Sequence, residues 1–157
     1  MPRMGPRTES AKPKRGCELV FKLEEFYFGP RKGVANYLGQ PHYYDRIFDQ
    51  DEHDYSDLYQ LTPIDHRTFD LAVEAWEIWR KWEFAYHTEK VSLKSHPALR
   101  ADTTKYKKMC RVLTSSLKTN PRTSITRRGN FSVIGGPKLP KGVLRPLEVS
   151  WFDPSGH

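Results

Sequence analysis

One stretch of this chain constrains its fold more than any other. Between about residues 65 and 88, at 100° per residue, Leu71, Ala72, Ala75, Trp76, Ile78, Trp79, Trp82 and Tyr86 fall on one broad arc, which Phe69 and Val73 extend. Asp70, Glu74, Glu77 and Lys81 take the opposite side. An apolar arc covering well over half the circumference must be buried, so the spacing predicts a helix laid across a sheet as the spine of the core. Its start is signalled twice. Thr62 can cap with Pro63 in the first helical position, and Asp65 is an alternative cap.

The flanking segments alternate with the period of strands. Cys17, Leu19, Phe21 and Leu23 alternate with Glu18, Val20, Lys22 and Glu24. Gly29-Pro30-Arg31-Lys32-Gly33 has the chemistry of a turn. Val34–Leu38 and His42–Phe48 read as hairpin arms around Gly39-Gln40-Pro41, and Leu58–Leu61 as a short strand. A second helix is expected over about 102–118, where Tyr106, Met109, Cys110, Leu113 and Leu117 follow the i, i+3, i+4, i+7 rule and Asn120-Pro121 ends it. Residues 120–130 read as a basic loop, and Phe131–Ile134 and Leu147–Trp151 as closing strands. Strands in runs with helices clustered between them indicate an α+β fold. The expectation is a single domain over residues 17–153, an antiparallel sheet of about five strands with both helices packed on one face. Residues 1–16 read as a disordered basic tail and 154–157 as a C-terminal tail.

Leu, Ile, Val and Phe make up only about 22% of the 157 residues, close to the level at which disorder sets in. Twenty aromatic residues, four of them Trp, supply the missing burial. No apolar run approaches the length of a membrane span, and the charged N-terminus lacks the apolar stretch of a secretory signal, so a cytoplasmic protein without membrane contact is expected. Cys17 and Cys110 belong to no CxxC and read as reduced thiols.

Net charge is +7, unevenly laid out. Residues 49–70 are net −6 and residues 91–128 net +9. Within the second, Lys105, Lys107, Lys108, Arg111, Lys118, Arg122, Arg127 and Arg128 come from the second helix and the loop after it. On one face they would bind phosphates with salt-sensitive affinity. The competing readings are a solvated helix face or an internal match to residues 49–70. Tyr106 sits on the apolar side of its helix and Phe131 begins a strand, so neither offers a base-stacking platform.

Glu83 falls inside the apolar arc, between Trp76 and Trp79 on the helical wheel, with His87 one turn on and Arg80 three residues before. A carboxylate on such a face must be paired. The structural reading satisfies it with Arg80, His87 or backbone N–H groups. The catalytic reading makes Glu83 and His87 an acid/base pair, with burial raising the glutamate pKa. A zinc site joining them to His96 lacks any HExxH or paired-cysteine spacing, so no metal is expected. The acidic run Asp49, Asp51, Glu52, Asp54, Asp57 starts like a calcium loop. It fails at His53, at Asp54 in the glycine position and at Gln60 in the closing position. No phosphate loop or nucleophile elbow is present, and no cofactor is expected.

The pattern GVANYLGQPHYYDRIFD, DYSDLYQLTPID, AWEIWRKWEFAYH and SHPAL, over about residues 29–99, with GVLRPLEVSW near the C-terminus, resembles a group of small uncharacterised bacterial proteins. That resemblance implies no assigned activity and hence no catalytic role. It implies a Glu and a His retained where this chain has Glu83 and His87. It also makes the basic stretch after Leu99 particular to this sequence.

Together these readings favour a non-enzymatic binding module for a polyanion. Nucleic acid comes first and an acidic protein surface second, held by the basic tail and the 105–128 surface. The alternatives are a small acid/base or metal-dependent enzyme centred on Glu83 and His87, and a regulatory subunit docking another protein through its hairpin or acidic loop.

Overall fold

The computed structural model describes residues 13–26 and 30–155; most of the basic tail (1–12), Gly29 of the expected turn and residues 156–157 lie outside the described residues. The elements run β1 (Glu18–Phe26), β2 (Pro30–Tyr37), β3 (Gln40–Asp49), β4 (Asp54–Pro63), α1 (His66–His87), α2 (Thr103–Ser116), β5 (Ile125–Val133) and β6 (Leu147–Phe152). Two short 3₁₀ turns, Leu93–Ser95 and Arg100–Asp102, lie between the helices.

Each strand pairs antiparallel with the next, and β6 returns to β1 with Glu18 opposite Val149 and Leu19 opposite Glu148. The sheet therefore has six strands closed into a barrel, not about five in an open layer. Closure leaves no sheet edge to protect. The mixed helix and antiparallel-strand composition stands as expected.

Several local expectations are corrected. The Gly29–Gly33 turn is largely strand, since β2 begins at Pro30. Arg127 and Arg128 lie in β5 rather than in a loop. The hairpin between β2 and β3 turns at Leu38-Gly39, both at positive φ (53° and 75°), the left-handed pair a two-residue hairpin needs. The Glu18 carboxylate accepts both turn N–H groups, from Leu38 at 2.8 Å and Gly39 at 2.7 Å. The acidic run is a hairpin tip: β3 and β4 remain paired out to Asp49 opposite Asp54, helped by edge-on Phe48 and Tyr55 rings 5.1 Å apart. Thr62 and Pro63 belong to β4, and Asp65 caps α1 by accepting the Thr68 N–H at 2.7 Å.

Two cores result. Inside the barrel, Tyr44, Tyr59, Phe131 and Trp151 meet one another at ring separations of 5.3–6.3 Å, with Ala35, Leu61 and Val149 filling around them. The Tyr59 hydroxyl donates to the Pro30 carbonyl and the Trp151 indole to that of Asn36, both at 2.8 Å, while the buried Tyr44 hydroxyl rests against Gly33. Outside the barrel, Val34 and Tyr43 meet Ala72, Ala75 and Ile78 of α1 and Met109 and Leu113 of α2. The alanines let α1 lie close on the strands. Lys81 and Asp102 pair at 2.7 Å, joining α1 to the start of α2. Cys17 and Cys110 are both free thiols.

Candidate functional site

α2 divides cleanly. Met109 and Leu113 are buried, and Tyr106 packs against the same core. Taking Lys107 as zero at 100° per residue, Arg111 and Lys108 lie at 40° and 100°, while Lys118 follows the helix end, beyond the extended Leu117. All four are exposed, as is Arg122 in the turn beyond. Among the described residues these five form no ion pair. Exposed Thr104 lies on the same side and adds a hydroxyl, while the Ser115 hydroxyl already donates to the Val112 carbonyl at 2.9 Å.

The other three basic candidates are engaged inside the molecule. Lys105 pairs with Glu74 of α1. Arg127 donates to the Tyr37 hydroxyl at 3.1 Å and to the Thr126 carbonyl at 2.7 Å, with its guanidinium 5.4 Å from the Tyr37 ring centre. Arg128 reaches Asp57 at 2.5 Å and the Pro154 carbonyl at 2.9 Å. That Arg128–Asp57 pair joins the acidic segment to the basic one. Tyr106 and Phe131 are both committed to cores. The charged surface therefore carries no stacking aromatic from either position.

Glu83 is buried on α1, and both carboxylate oxygens are taken. Oε1 accepts from Arg80 Nη1 at 2.7 Å and Oε2 from the Leu144 N–H at 2.8 Å. Burial pushes its pKa above the ordinary glutamate value, against the opposing pull of the Leu144 N–H, Arg80 and His87. His87 makes no hydrogen bond to Glu83 among the described residues. Its ring meets Tyr86 edge-on at 5.0 Å, and Gly142, at φ +94°, lies directly against it. The pair thus fastens the segment before β6 to α1. His96 is elsewhere, edge-on to Trp82 at 4.7 Å, beside the Ser95 hydroxyl that accepts the Trp82 indole N–H at 2.7 Å. No group of three or more His, Cys, Asp or Glu side chains among the described residues is placed to hold a metal ion. None of the described helices is long and apolar enough to cross a membrane.

Sequence reasoning missed Lys22 and Glu24. Their alternation marks them as the solvent side of a strand, yet Lys22 is 5% exposed and its ammonium lies 3.1 Å from Glu24 Oε1. Nothing in the period-two pattern distinguishes a polar face in water from one covered by a helix. The Trp-rich arc of α1 was the available signal that something had to lie over that face.

No family model matches the chain, and no curated protein or solved structure shows significant similarity to it.

Proposed function

We propose that the protein is a non-enzymatic nucleic-acid-binding module whose contact is the exposed face of α2. The observation that carries this is the division of the basic residues. Three of eight candidates are engaged internally, while Lys107, Lys108 and Arg111 share the exposed face of α2, and Lys118 and Arg122 are exposed in the segment that follows it, all without ion pairs among the described residues. Partly hydrated cations gathered on one face gain most from a polymer of phosphates, because each phosphate contact releases a counterion. The Thr104 hydroxyl on the same face suits a backbone contact, which positions without reading sequence. The reading is therefore of backbone recognition with little sequence preference.

Anisotropy titrations of the full chain on labelled random duplex DNA between about 50 and 200 mM salt test it. Five phosphate contacts give a log–log slope of about −4.5. Reversing two charges, in Lys108→Glu with Arg111→Glu, removes about 1.8 from its magnitude. No binding at the lowest salt, or an unchanged slope in the double variant, rejects the surface. Binding to an acidic protein but not to DNA or RNA would assign the face to a protein partner.

The enzyme reading has one observation in its favour, the burial that raises the Glu83 pKa. Against it, both carboxylate oxygens already hold fixed partners, Arg80 and the Leu144 N–H.

A further inference from the structure

The outer face of the barrel carries a feature that the basic helix face does not use. β1 is irregular there. Val20 pairs with Ala35 but Lys22 with Val34, and Leu23 pairs with Gly33 but Glu25 with Lys32. Each step sets two residues of β1 against one of β2, which is a bulge, a device that re-aims side chains. Phe21 and Lys22 consequently both face the helices: Phe21 meets the Phe69 ring edge-on at 4.8 Å, and Lys22 Nζ lies 5.6 Å from the Trp76 ring centre.

The Lys22 ammonium has three donors, and among the described residues one carboxylate, Glu24, accepts from it. A nearly buried ammonium with donors left over is costly. It lines a cleft of about 370 Å³ open to solvent, shared with Glu24, Trp76, Trp79, Tyr106 and Thr114. Trp76 and Trp79 are half-buried and stacked face to face, 5.0 Å apart and 12° from parallel, with the Lys22 and Arg80 cations over the Trp76 ring, so they line the cleft as a paired aromatic surface.

We propose that this cleft binds a small planar aromatic carboxylate, its ring against the paired indoles and its carboxylate on Lys22. Three features select that chemistry. The paired indoles favour an aromatic ring, which can meet them offset-stacked or edge-on, over a puckered aliphatic one. The spare ammonium donors call for an anionic acceptor. Glu24 beside them repels added negative charge, so a singly charged carboxylate is tolerated better than a doubly charged phosphate. The volume lies at the small end of ligand clefts, room for one or two fused rings. The cleft borders the basic face of α2 at Thr114 but is lined by none of the five exposed cations, so its ligand binding is tested separately from nucleic-acid binding.

Calorimetric titration of the full chain with 2-naphthoate tests this, with 2-naphthamide and cyclohexanecarboxylate as controls. The acid is expected to bind with a Kd on the order of 0.1 mM. Each control, and the Lys22→Met variant, should bind about tenfold more weakly or less. Thr114→Phe, at an exposed helical position on the rim, should block the cleft without touching Lys22. Circular dichroism melts report whether the variants fold. If Lys22→Met does not, Thr114→Phe and the amide decide the matter. The proposal is overturned if 2-naphthoate gives no binding at millimolar concentration, if the amide binds as tightly as the acid, or if a folded Thr114→Phe variant keeps full affinity.

Discussion

Glu83 shows how one side chain can be costly and still hold a fold together. Its two oxygens are used by Arg80 and by the Leu144 N–H, so it ties α1 to the segment leading into β6. Burial nonetheless dominates its titration and raises its pKa. For a carboxyl group a raised folded-state pKa means that the folded protein holds the proton more tightly than the unfolded chain does. Its contribution to stability is therefore most favourable at low pH and falls as pH climbs from the ordinary glutamate value through the raised one. Glu83→Gln mimics the protonated form but must aim an N–H₂ at one of two donors, costing about 1–3 kcal/mol. The stability gap between the wild-type protein and this variant should be widest at the acidic end of that range and narrow above it. Urea denaturation at a series of pH values checks this. A gap that widens with pH would mean that Arg80 and the Leu144 N–H, rather than burial, control the group. The presence of Glu83 within the apolar arc was legible in the sequence, as was Arg80 as a partner. Leu144 was not, because a backbone N–H arriving from 61 residues away leaves no mark on the helix pattern.

Among the elements, β5 is the one whose misreading hid the barrel. Its inward positions are Ile125, Arg127, Gly129 and Phe131. One is a cation stacked on Tyr37 at the barrel rim and one has no side chain, so half of the expected apolar alternation is missing. The glycine is required by its neighbours. A Cβ at Gly129 would lie 2.7 Å from the Trp151 ring and 3.0 Å from that of Tyr59, both fixed in the four-ring interior. Gly129→Ala should therefore destabilise by about 1–3 kcal/mol, the usual cost of overpacking a filled core, despite alanine's lower conformational entropy cost. A chemical denaturation midpoint unchanged from the wild-type protein would show that the rings can shift, and that the interior is looser than their spacing implies. By contrast α1 and α2 were legible almost to their ends, because each buries a stripe long enough to repeat. Closure of β6 onto β1 rests on two residue pairs, too few for any periodicity to reveal.

At the scale of the molecule, the fold separates most of its charge instead of cancelling it. Ion pairs consume Lys105 and Arg128, but the hairpin tip keeps Asp51 and Glu52 exposed, and α2 keeps its basic face. A binding surface and an overall field make different demands on a polyanion. The salt slope counts the phosphates neutralised at the contact, whereas the net field mainly sets how fast a partner is attracted or repelled beyond that contact. If it lies outside the contact, the tip acts only as a repulsive charge, weakened as salt shortens the screening length to about 8–10 Å. Asp51→Asn with Glu52→Gln removes two of those charges and leaves the Asp49 carboxylate, which accepts the two backbone N–H groups at the turn, in place. The double variant should bind duplex DNA two- to fivefold more tightly near 50 mM salt, mainly through faster association, with the slope changed by less than about half a unit. Stopped-flow anisotropy separates the two rates. A slope shifted as far as that of the Lys108→Glu, Arg111→Glu variant would place the hairpin tip inside the contact, and the nucleic acid would then have to span both ends of this charge separation.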